Sequence, residues 1–243
     1  KMAERMAVYT GMEAIEARRT DAGVWVLGRD RASGETQAFE AETLLLAVGR
    51  QSNADRLQVE KTGVAVDARG YIVVQPHLET NKKGIWAFGD AIGKFMYKHV
   101  ANEEANLAWH NFSHGHTDAM DYHAVPHAVF CWPQVASVGL TEGEARKGYD
   151  ILVGRAGYMS VAKGEAMRET DGFVKVVMEK KTDKVLGFHI IGPQASLLIQ
   201  EVVNLMAMTG GEAGNLFIPM HIHPALSELV LRAFSHLHEP AEE

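Results

Sequence analysis

Cysteine is almost absent from this sequence of 243 residues, which contains only Cys131. A single cysteine excludes an intrachain disulfide framework and a cysteine-rich zinc site. Long apolar runs are absent too, since none reaches the roughly 18 residues that a membrane-spanning helix needs. No charged-then-apolar stretch has the pattern of a secretory leader. We therefore expect a soluble, cytoplasmic protein without a membrane partner.

Positive charge is scarce. The chain has 24 Lys and Arg residues against 31 Asp and Glu, a formal net charge of -7. A dedicated nucleic-acid-binding protein normally carries a basic face, so we expect no nucleic-acid partner. The sequence, with 47% hydrophobic and 23% charged residues, has the composition of a globular protein with one large domain or two smaller ones.

The first half of the chain alternates short apolar runs with turn signals. The run TLLLAV at 43–48 ends at Gly49 and is typical of a strand buried on both faces of a parallel sheet. Further patterns predict short strands at 5–10, 23–27 and 85–88, a hairpin at 63–74, and a helix at 98–111. We expect one face of that helix to be buried, formed by Val100, Ala101, Ala105, Ala108 and Trp109.

The pattern changes near residue 122. Thr141 and Glu144 form a capping box, and the helix that they begin should stop at Gly148 in a left-handed conformation. Another helix is predicted after Pro224. The other predicted elements are strands at 125–130 and 135–139, a hairpin at 172–179 and 184–191, and a helix at 196–208. This order predicts the fold class, an α/β part followed by an α+β part.

The segment HPALSE at 223–228 carries the strongest candidate for chemistry. A proline at the first position of a helix leaves the preceding residue extended, so His223 would lie just outside the last helix. Glu228 is near enough in sequence to accept a hydrogen bond from the imidazole. A histidine oriented by a carboxylate suits general acid–base catalysis. The alternative is a chance spacing, because the chain has 12 histidines, and we interpret His221 as structural.

Three other features could contact a ligand. Asp90 ends a short predicted strand and could accept hydrogen bonds from sugar-like hydroxyls, or it could belong to a simple turn. Gly49 permits a close approach of the backbone to a ligand, or a tight turn. The start of the helix at 98–111 offers free N–H groups that favour an electron-rich ligand. The residues at this helix start are Met96, Tyr97, Lys98 and His99.

No metal site is expected from the spacing of histidines. The histidines at 110, 114, 116, 123 and 127 do not follow a zinc motif, and no cysteine supports them. Cys131 lies in AVFCWPQ, where nothing nearby would activate its thiol. We expect Cys131 to be a small, buried residue.

Five sequence segments stand out in a fixed order across nearly the whole chain. The segments are TLLLAVGRQSN (43–53), TNKKGIWAFGD (80–90), QVASVGLTE (134–142), VLGFHIIG (185–192) and HIHPALSE (221–228). One segment alone is a weak signal, but five in this order are specific. Together they resemble the C-terminal half of the flavin-dependent pyridine nucleotide-disulfide oxidoreductases. This family includes dihydrolipoamide dehydrogenase and the glutathione, mercuric and mycothione reductases.

The resemblance implies a division of the chain and a set of partners. Residues 1–48 would end an NAD(P)-binding domain, residues 49–122 would be the returning part of an FAD-binding domain, and residues 123–243 would form the dimerisation domain. The implied cofactors are FAD and NAD(P)H. The implied partners are a second copy of the chain, in a homodimer, and a small disulfide or lipoyl-type substrate.

The resemblance also implies roles for the candidate residues. Asp90 would hold the ribityl chain of FAD, and residues 96–99 would face the carbonyl edge of the flavin. Gly49 would lie near the nicotinamide cofactor. His223, oriented by Glu228, would reach into the active site of the partner subunit and serve its dithiol.

Two parts of the family pattern are missing from this sequence. The glycine-rich GxGxxG motif and the redox-active CxxxxC pair lie in the family's N-terminal half, and neither occurs here. We expect this chain alone to be inactive, and to serve as the C-terminal part of a dihydrolipoamide dehydrogenase-like enzyme. The alternatives are a non-catalytic dimerisation module and a mycothione- or glutathione-type reductase. The run KHVANEEA at 98–105 is closer to mycothione reductases.

Overall fold

A computed structural model describes residues 1–240 of the chain, which forms two compact units, Lys1–Gln51 and a second from Ser52 onward. The strands are β1 (Met12–Thr20), β2 (Gly23–Asp30), β3 (Thr36–Ala41), β4 (Pro126–Val129), β5 (Val135–Gly139), β6 (Ile151–Gly157), β7 (Phe173–Glu179) and β8 (Val185–Ile191). The α-helices are α1 (Ala54–Leu57), α2 (Lys98–His114), α3 (Glu142–Ala145), α4 (Ala162–Met167), α5 (Ala195–Thr209) and α6 (Glu228–Arg232). The 3₁₀ helices are Val59–Thr62, Gly89–Ile92, Tyr158–Ser160, Ala213–Phe217 and Ala233–His236. No helix within residues 1–240 is both long enough and apolar enough to cross a membrane.

The first unit is a three-stranded antiparallel sheet in the order β1-β2-β3. The predicted strand at 23–27 is confirmed as part of β2. The predicted strand at 5–10 is wrong, because the backbone N–H groups of Arg5 and Met6 both bond to the carbonyl of Met2 in a turn. The predicted strand at 43–48 is also wrong, and its residues are exposed. A strand is buried on both faces only where other elements, usually helices, pack on both sides of its sheet, and the described residues of this unit form only the strands β1–β3.

The second unit opens with irregular chain rather than regular strands. Within the predicted hairpin at 63–74, residues 67–70 form a turn, in which the Asp67 carboxylate accepts from the backbone N–H groups of Arg69 and Tyr71 at 2.8 and 2.9 Å. The strands on either side of it reduce to a single bridge between Val66 and Ile72. The predicted strand at 85–88 likewise reduces to one bridge and runs into a 3₁₀ helix.

Helix α2 confirms the predicted helix at 98–111 and extends it by one turn, to a left-handed Gly115. Its buried residues are Val100, Glu104, Ala108 and Asn111. The prediction that Trp109 belongs to this face is wrong, since Trp109 is 67% exposed. Trp109 follows Val100 by nine residues, which is about two and a half turns of helix and therefore the opposite side.

The main core of the second unit lies on one face of an antiparallel sheet in the order β4-β5-β8-β7-β6. The predicted hairpin is confirmed as β7 and β8, whose alternating residues include the fully buried Val174, Val176 and Phe188. Helices α5 and α6 lie against this face and bury Val202, Leu229 and neighbouring apolar residues in one cluster. The β-branched and aromatic residues of the strands thus meet the apolar stripes of two helices.

The opposite face of the sheet carries a smaller core, where Ala145 of α3 packs near Val153 and Val177. The capping box at Thr141 is confirmed, with Glu144 bonding back to the Thr141 backbone. Gly148 does not end α3 in a left-handed conformation, because the helix stops at Ala145 and its cap, Arg146, stays right-handed.

The last helix also begins later than the sequence predicts. Pro224 is not at its first position, because residues 223–227 form bends and turns and α6 starts at Glu228. Three apolar residues of this segment, Leu226, Leu229 and Val230, are nevertheless buried.

We predict that Phe188→Ala destabilises the second unit by about 3–5 kcal/mol, because it removes a fully buried ring and leaves a cavity. Phe112→Ala removes the same atoms from an exposed ring and should cost far less. Guanidinium unfolding followed by far-ultraviolet circular dichroism measures both free energies. Equal losses in the two variants would contradict this assignment of the core.

Candidate functional site

His223 and Glu228 form a hydrogen-bonded pair at the start of α6. The Nδ1 atom of His223 lies 2.9 Å from Oε1 of Glu228, and the other carboxylate oxygen of Glu228 accepts from the Ala225 backbone N–H at 3.0 Å. The imidazole is 68% exposed. Glu228 adjoins the fully buried Leu229 and Val230, so the carboxylate is attached to a fixed part of the core.

The pair leaves one ring nitrogen of His223 available for proton exchange. The backbone N–H of Ala225 and then the imidazole of His223 hold the pKa of the Glu228 carboxyl below its usual range. A charged carboxylate can only accept, so Nδ1 of His223 is the donor and carries the hydrogen. The Nε2 atom of His223 takes no part in the bond to Glu228 and lies on an exposed ring. This is the arrangement that a general acid–base needs.

A second histidine–carboxylate pair lies beside the first. The Nε2 atom of His221 is 2.5 Å from Oε1 of Glu201 in α5, and its Nδ1 atom is 3.2 Å from the carbonyl of Pro219. The His221 side chain is only 10% exposed. Sequence reasoning missed Glu201, because the two partners are 20 residues apart and only the packing of α5 brings them together.

The residues at 96–99 line a cavity of about 510 Å³ at the beginning of α2. This volume lies within the usual range of small-molecule pockets. The cavity is also lined by residues of α5 and of the start of β4, namely Pro126, His127, Ser196, Ile199, Gln200 and Val203. The structure therefore gathers Met96, Tyr97, Lys98 and His99 in one place, and neither His223 nor Glu228 lines that cavity.

Contacts within the cavity wall fix several of these side chains. The Tyr97 ring lies parallel to the rings of His99 and His127, with centroids 5.4 and 5.8 Å away. The Nε2 atom of His99 is 2.8 Å from the carbonyl of Pro126. The Lys98 ammonium donates to the Asn102 side chain. The wall is thus a stack of aromatic rings with the N-terminus of a 17-residue helix beside it.

Asp90 lies in the 3₁₀ helix Gly89–Ile92, which packs against α2. Gly89 has a positive φ of 66°, and a side chain there would come within 3.1 Å of Ala101 in the first turns of α2. The Gly89 backbone N–H donates to the fully buried Glu104 at 2.6 Å. Asp90 is therefore held close to the end of α2 that borders the cavity.

Glu104 is the second residue that sequence reasoning missed. Its other oxygen accepts from the Tyr122 hydroxyl at 2.7 Å. Burial, and then the hydrogen bond to Glu104, raise the pKa of the Tyr122 phenol above its usual range. The sequence contains a signal for this burial. Glu104 lies four residues from both Val100 and Ala108, so a charged residue falls at the centre of an apolar stripe.

Two other sequence predictions have different outcomes. Gly49 adopts a φ of 109°, which only glycine tolerates readily, and a side chain there would meet no atom within 4 Å. It belongs to the first unit, whereas the other candidate residues belong to the second. Cys131 is exposed, and the prediction that it is buried is wrong, because β4 ends at Val129 and residues 130–132 leave the sheet.

Two family descriptions match this sequence. The description "Pyridine nucleotide-disulphide oxidoreductase" matches residues 3–105, and "Pyridine nucleotide-disulphide oxidoreductase, dimerisation domain" matches residues 125–234. Together they cover most of the chain, in the order that the sequence motifs indicated.

Individual proteins support the same grouping. The chain is 35% identical to the dihydrolipoyl dehydrogenase of Thermus scotoductus over 98% of its own length and 51% of that protein. It is 40% identical to the mycothione reductase of Mycobacterium tuberculosis over 85% of its length and 47% of that protein. The solved structure of the HOCl-induced flavoprotein disulfide reductase RclA from Escherichia coli matches 92% of the chain with a TM-score of 0.78 and 27% identity, and the match covers 50% of that structure.

The chain spans about half the length of the curated relatives it matches. The α/β and α+β elements, the order of the motifs and the two family descriptions agree over nearly all of it. The chain belongs to the pyridine nucleotide-disulfide oxidoreductase family and corresponds to about the C-terminal half of its members.

Proposed function

We propose that this chain is the C-terminal part of an FAD- and NAD(P)H-dependent disulfide oxidoreductase of the dihydrolipoyl dehydrogenase type. The observation that carries the proposal is the His223–Glu228 pair, at 2.9 Å on an exposed ring. In this proposal, residues 1–48 end the NAD(P)-binding domain, residues 49–122 belong to the FAD-binding domain, and residues 123–243 form the dimerisation domain. The cytoplasmic location stays a prediction from the sequence.

His223 is the proposed general acid–base. Its Nε2 atom takes a proton from a thiol and returns it to a thiolate, while Nδ1 keeps its hydrogen bond to Glu228. Glu228 acts as a positioning residue, because it accepts the hydrogen bond from Nδ1 of His223 and its bond to Ala225 fixes the carboxylate. Such proton transfer typically contributes about 10²–10⁴-fold to a rate.

The residues of the second unit fit a flavin. The cavity beside α2 is lined by flat aromatic side chains, and the helix N-terminus adds N–H groups and partial positive charge. Met96, Tyr97, Lys98 and His99 are the proposed contacts along this wall, and Asp90 is the proposed partner of a polyol hydroxyl. When bound, FAD supplies two-electron chemistry between NAD(P)H and a disulfide. Gly49 is the proposed close-approach point for the nicotinamide cofactor.

A homodimer is supported by the surface next to His223. Residues 217–222 expose several large apolar side chains, among them Ile218 at 78% and Met220 at 100%. The outer face of α5 adds Met208, which lines the same surface groove as Pro219. A large exposed apolar surface usually marks an interface. A twofold partner would cover this surface and bring His223 to the boundary between two subunits.

The same surface favours a second candidate function for the polypeptide alone, a non-catalytic dimerisation module. The core beneath β4–β8, α5 and α6 is continuous and built entirely from the second unit.

The substrate of the complete enzyme is a proposal as well. A lipoyl-type dithiol is proposed first, and a mycothione- or glutathione-type disulfide is the alternative that the mycothione reductase relative supports.

We predict that His223→Gln in the full-length flavin-loaded protein lowers kcat for NAD(P)H-dependent disulfide reduction by about 10²–10⁴-fold, because the acid–base is lost. Glu228→Gln should lower kcat less. Because the pKa of the Glu228 carboxyl is lowered, the carboxylate keeps its charge at neutral pH. It loses this charge only as the pH falls through the lowered pKa. The kcat of the wild type should therefore fall as the pH is lowered and Glu228 becomes protonated. Glu228→Gln has no titrating group at this position and should lack that fall.

The matched control is His236→Gln, which changes an exposed histidine outside the pair and should leave kcat unchanged. Retained flavin absorbance in every variant separates loss of catalysis from loss of folding. Undiminished turnover of His223→Gln would refute its assignment. The coding sequence upstream of Lys1 gives an independent test, because the enzyme proposal requires it to encode a GxGxxG motif and a CxxxxC pair.

We predict that the wild-type chain sediments as a dimer and that Met220→Glu converts it to a monomer, because a charge would be buried at the interface. Met159→Glu is the control, since Met159 is also exposed but lies in the 3₁₀ helix Tyr158–Ser160. Sedimentation velocity measures both masses. A monomeric wild type, or a dimer that survives Met220→Glu, would contradict the proposed interface.

A further inference from the structure

A compact cluster of potential metal ligands lies at the C-terminal end of α2, in residues that the proposed oxidoreductase function does not use. The Nε2 atom of His110 is 2.9 Å from Nδ1 of His116. The Oδ2 atom of Asp118 lies 3.5 Å from the first of these nitrogens and 3.6 Å from the second. Three donor atoms of the kind that bind transition metals therefore face one another across a small triangle.

A buried asparagine holds this triangle in place. Asn111 is 1% exposed, and its side chain pairs with Asp118 twice, accepting from the backbone N–H at 3.1 Å and donating to the carbonyl at 2.9 Å. The same amide donates to the carbonyl of His77 at 3.2 Å. The Asn111 carbonyl accepts from the backbone N–H of His116 at 3.1 Å. The loop after α2 is thus fixed to the helix by one residue next to His110.

The size of the triangle matches a zinc ion. The circle through the three donor atoms has a radius of about 1.9 Å, whereas Zn²⁺ lies about 2.0–2.2 Å from nitrogen and carboxylate oxygen ligands. An ion slightly above the plane of the triangle would reach all three atoms without movement of the backbone. In a tetrahedral site the ligand atoms are about 3.3–3.5 Å apart, close to the separations that involve Asp118.

The surroundings also favour a cation. The C-terminal end of a helix carries a partial negative charge, and His110 and His116 lie on either side of the end of α2 at Gly115. The side chains of all three ligands are about half exposed or more, so an ion can enter and keep water as its fourth ligand. His114 packs its ring near His110, but its Nδ1 atom is engaged by Ser113 and the His110 carbonyl.

We infer that His110, His116 and Asp118 form a binding site for one divalent transition-metal cation of the zinc type. Binding needs a lone pair from each imidazole, so the hydrogen that the two rings share moves to the other ring nitrogen of its own imidazole, and both ligands stay neutral. The mixed nitrogen and oxygen ligands select against Mg²⁺ and Ca²⁺, which prefer oxygen. The site does not depend on flavin, on a second subunit or on the His223–Glu228 pair.

Isothermal titration of the tag-free chain with ZnCl₂ tests the site, with Mg²⁺ and Ca²⁺ as competing ions. We expect one Zn²⁺ per chain, undisturbed by excess Mg²⁺ or Ca²⁺. His110→Ala, His116→Ala and Asp118→Asn should each weaken binding by at least about tenfold, since even the loss of partners behind the ligands costs about 10–100-fold. Co²⁺ added in place of Zn²⁺ should give the intense visible absorption of a tetrahedral site in the wild type only.

Two control variants separate this site from non-specific binding to histidine. His114→Ala removes a neighbouring imidazole that is not a ligand, and His123→Ala removes an exposed histidine paired with Asp121 at 2.7 Å. Both should leave the affinity unchanged. The proposal is overturned if the wild type binds no Zn²⁺, or if the control variants weaken binding as much as the ligand variants. Unchanged circular dichroism of each variant confirms that its fold is intact.

Discussion

The packing of α5 and α6 on one face of the β4–β8 sheet is the interaction on which the candidate site depends. Leu229 and Val230 are fully buried there, and they follow directly after Glu228. Val202, also fully buried, follows directly after Glu201. Each carboxylate therefore projects from a residue next to an anchor in the core. The two histidines, His221 and His223, bond to these carboxylates from a segment that has no regular structure of its own.

Helix α2 also positions neighbouring segments of the second unit, through two buried polar residues. Glu104 binds the Gly89 backbone and the Tyr122 hydroxyl, and Asn111 binds the backbone of His77 and Asp118. A polar group that is buried without partners is costly, so these bonds fix the loops that supply the partners. One helix thus organises the cavity at its N-terminal end and the His110–His116–Asp118 cluster at its C-terminal end.

Elements that depend on local signals could be predicted from the sequence. The hairpin of β7 and β8, the helix predicted at 196–208 and the capping box at Thr141 are confirmed, and the helix, α5, ends at a left-handed Gly210. Each depends on residues close together in the chain, such as a turn, a helix-ending glycine or a reciprocal pair of side chains. The His223–Glu228 hydrogen bond belongs to this group as well, because only five residues separate its partners. The family itself was recognisable because its motifs are short segments of this kind.

Tertiary structure decided the features that depend on distant partners. The run at 43–48 has the apolar pattern of a buried strand, yet it is exposed, because burial requires elements that pack against the run as well as the pattern. Cys131 lies in an apolar stretch but is exposed where the chain leaves the sheet. The His221–Glu201 pair and the His110–His116–Asp118 cluster follow no sequence motif. The partners of the buried Glu104 lie 15 and 18 residues away along the chain. The sequence by itself determined the local elements, the His223–Glu228 pair and the family, because those signals act over a few residues. Only the folded chain decided which side chains meet across long separations, because hydrogen bonds and burial depend on distance in space.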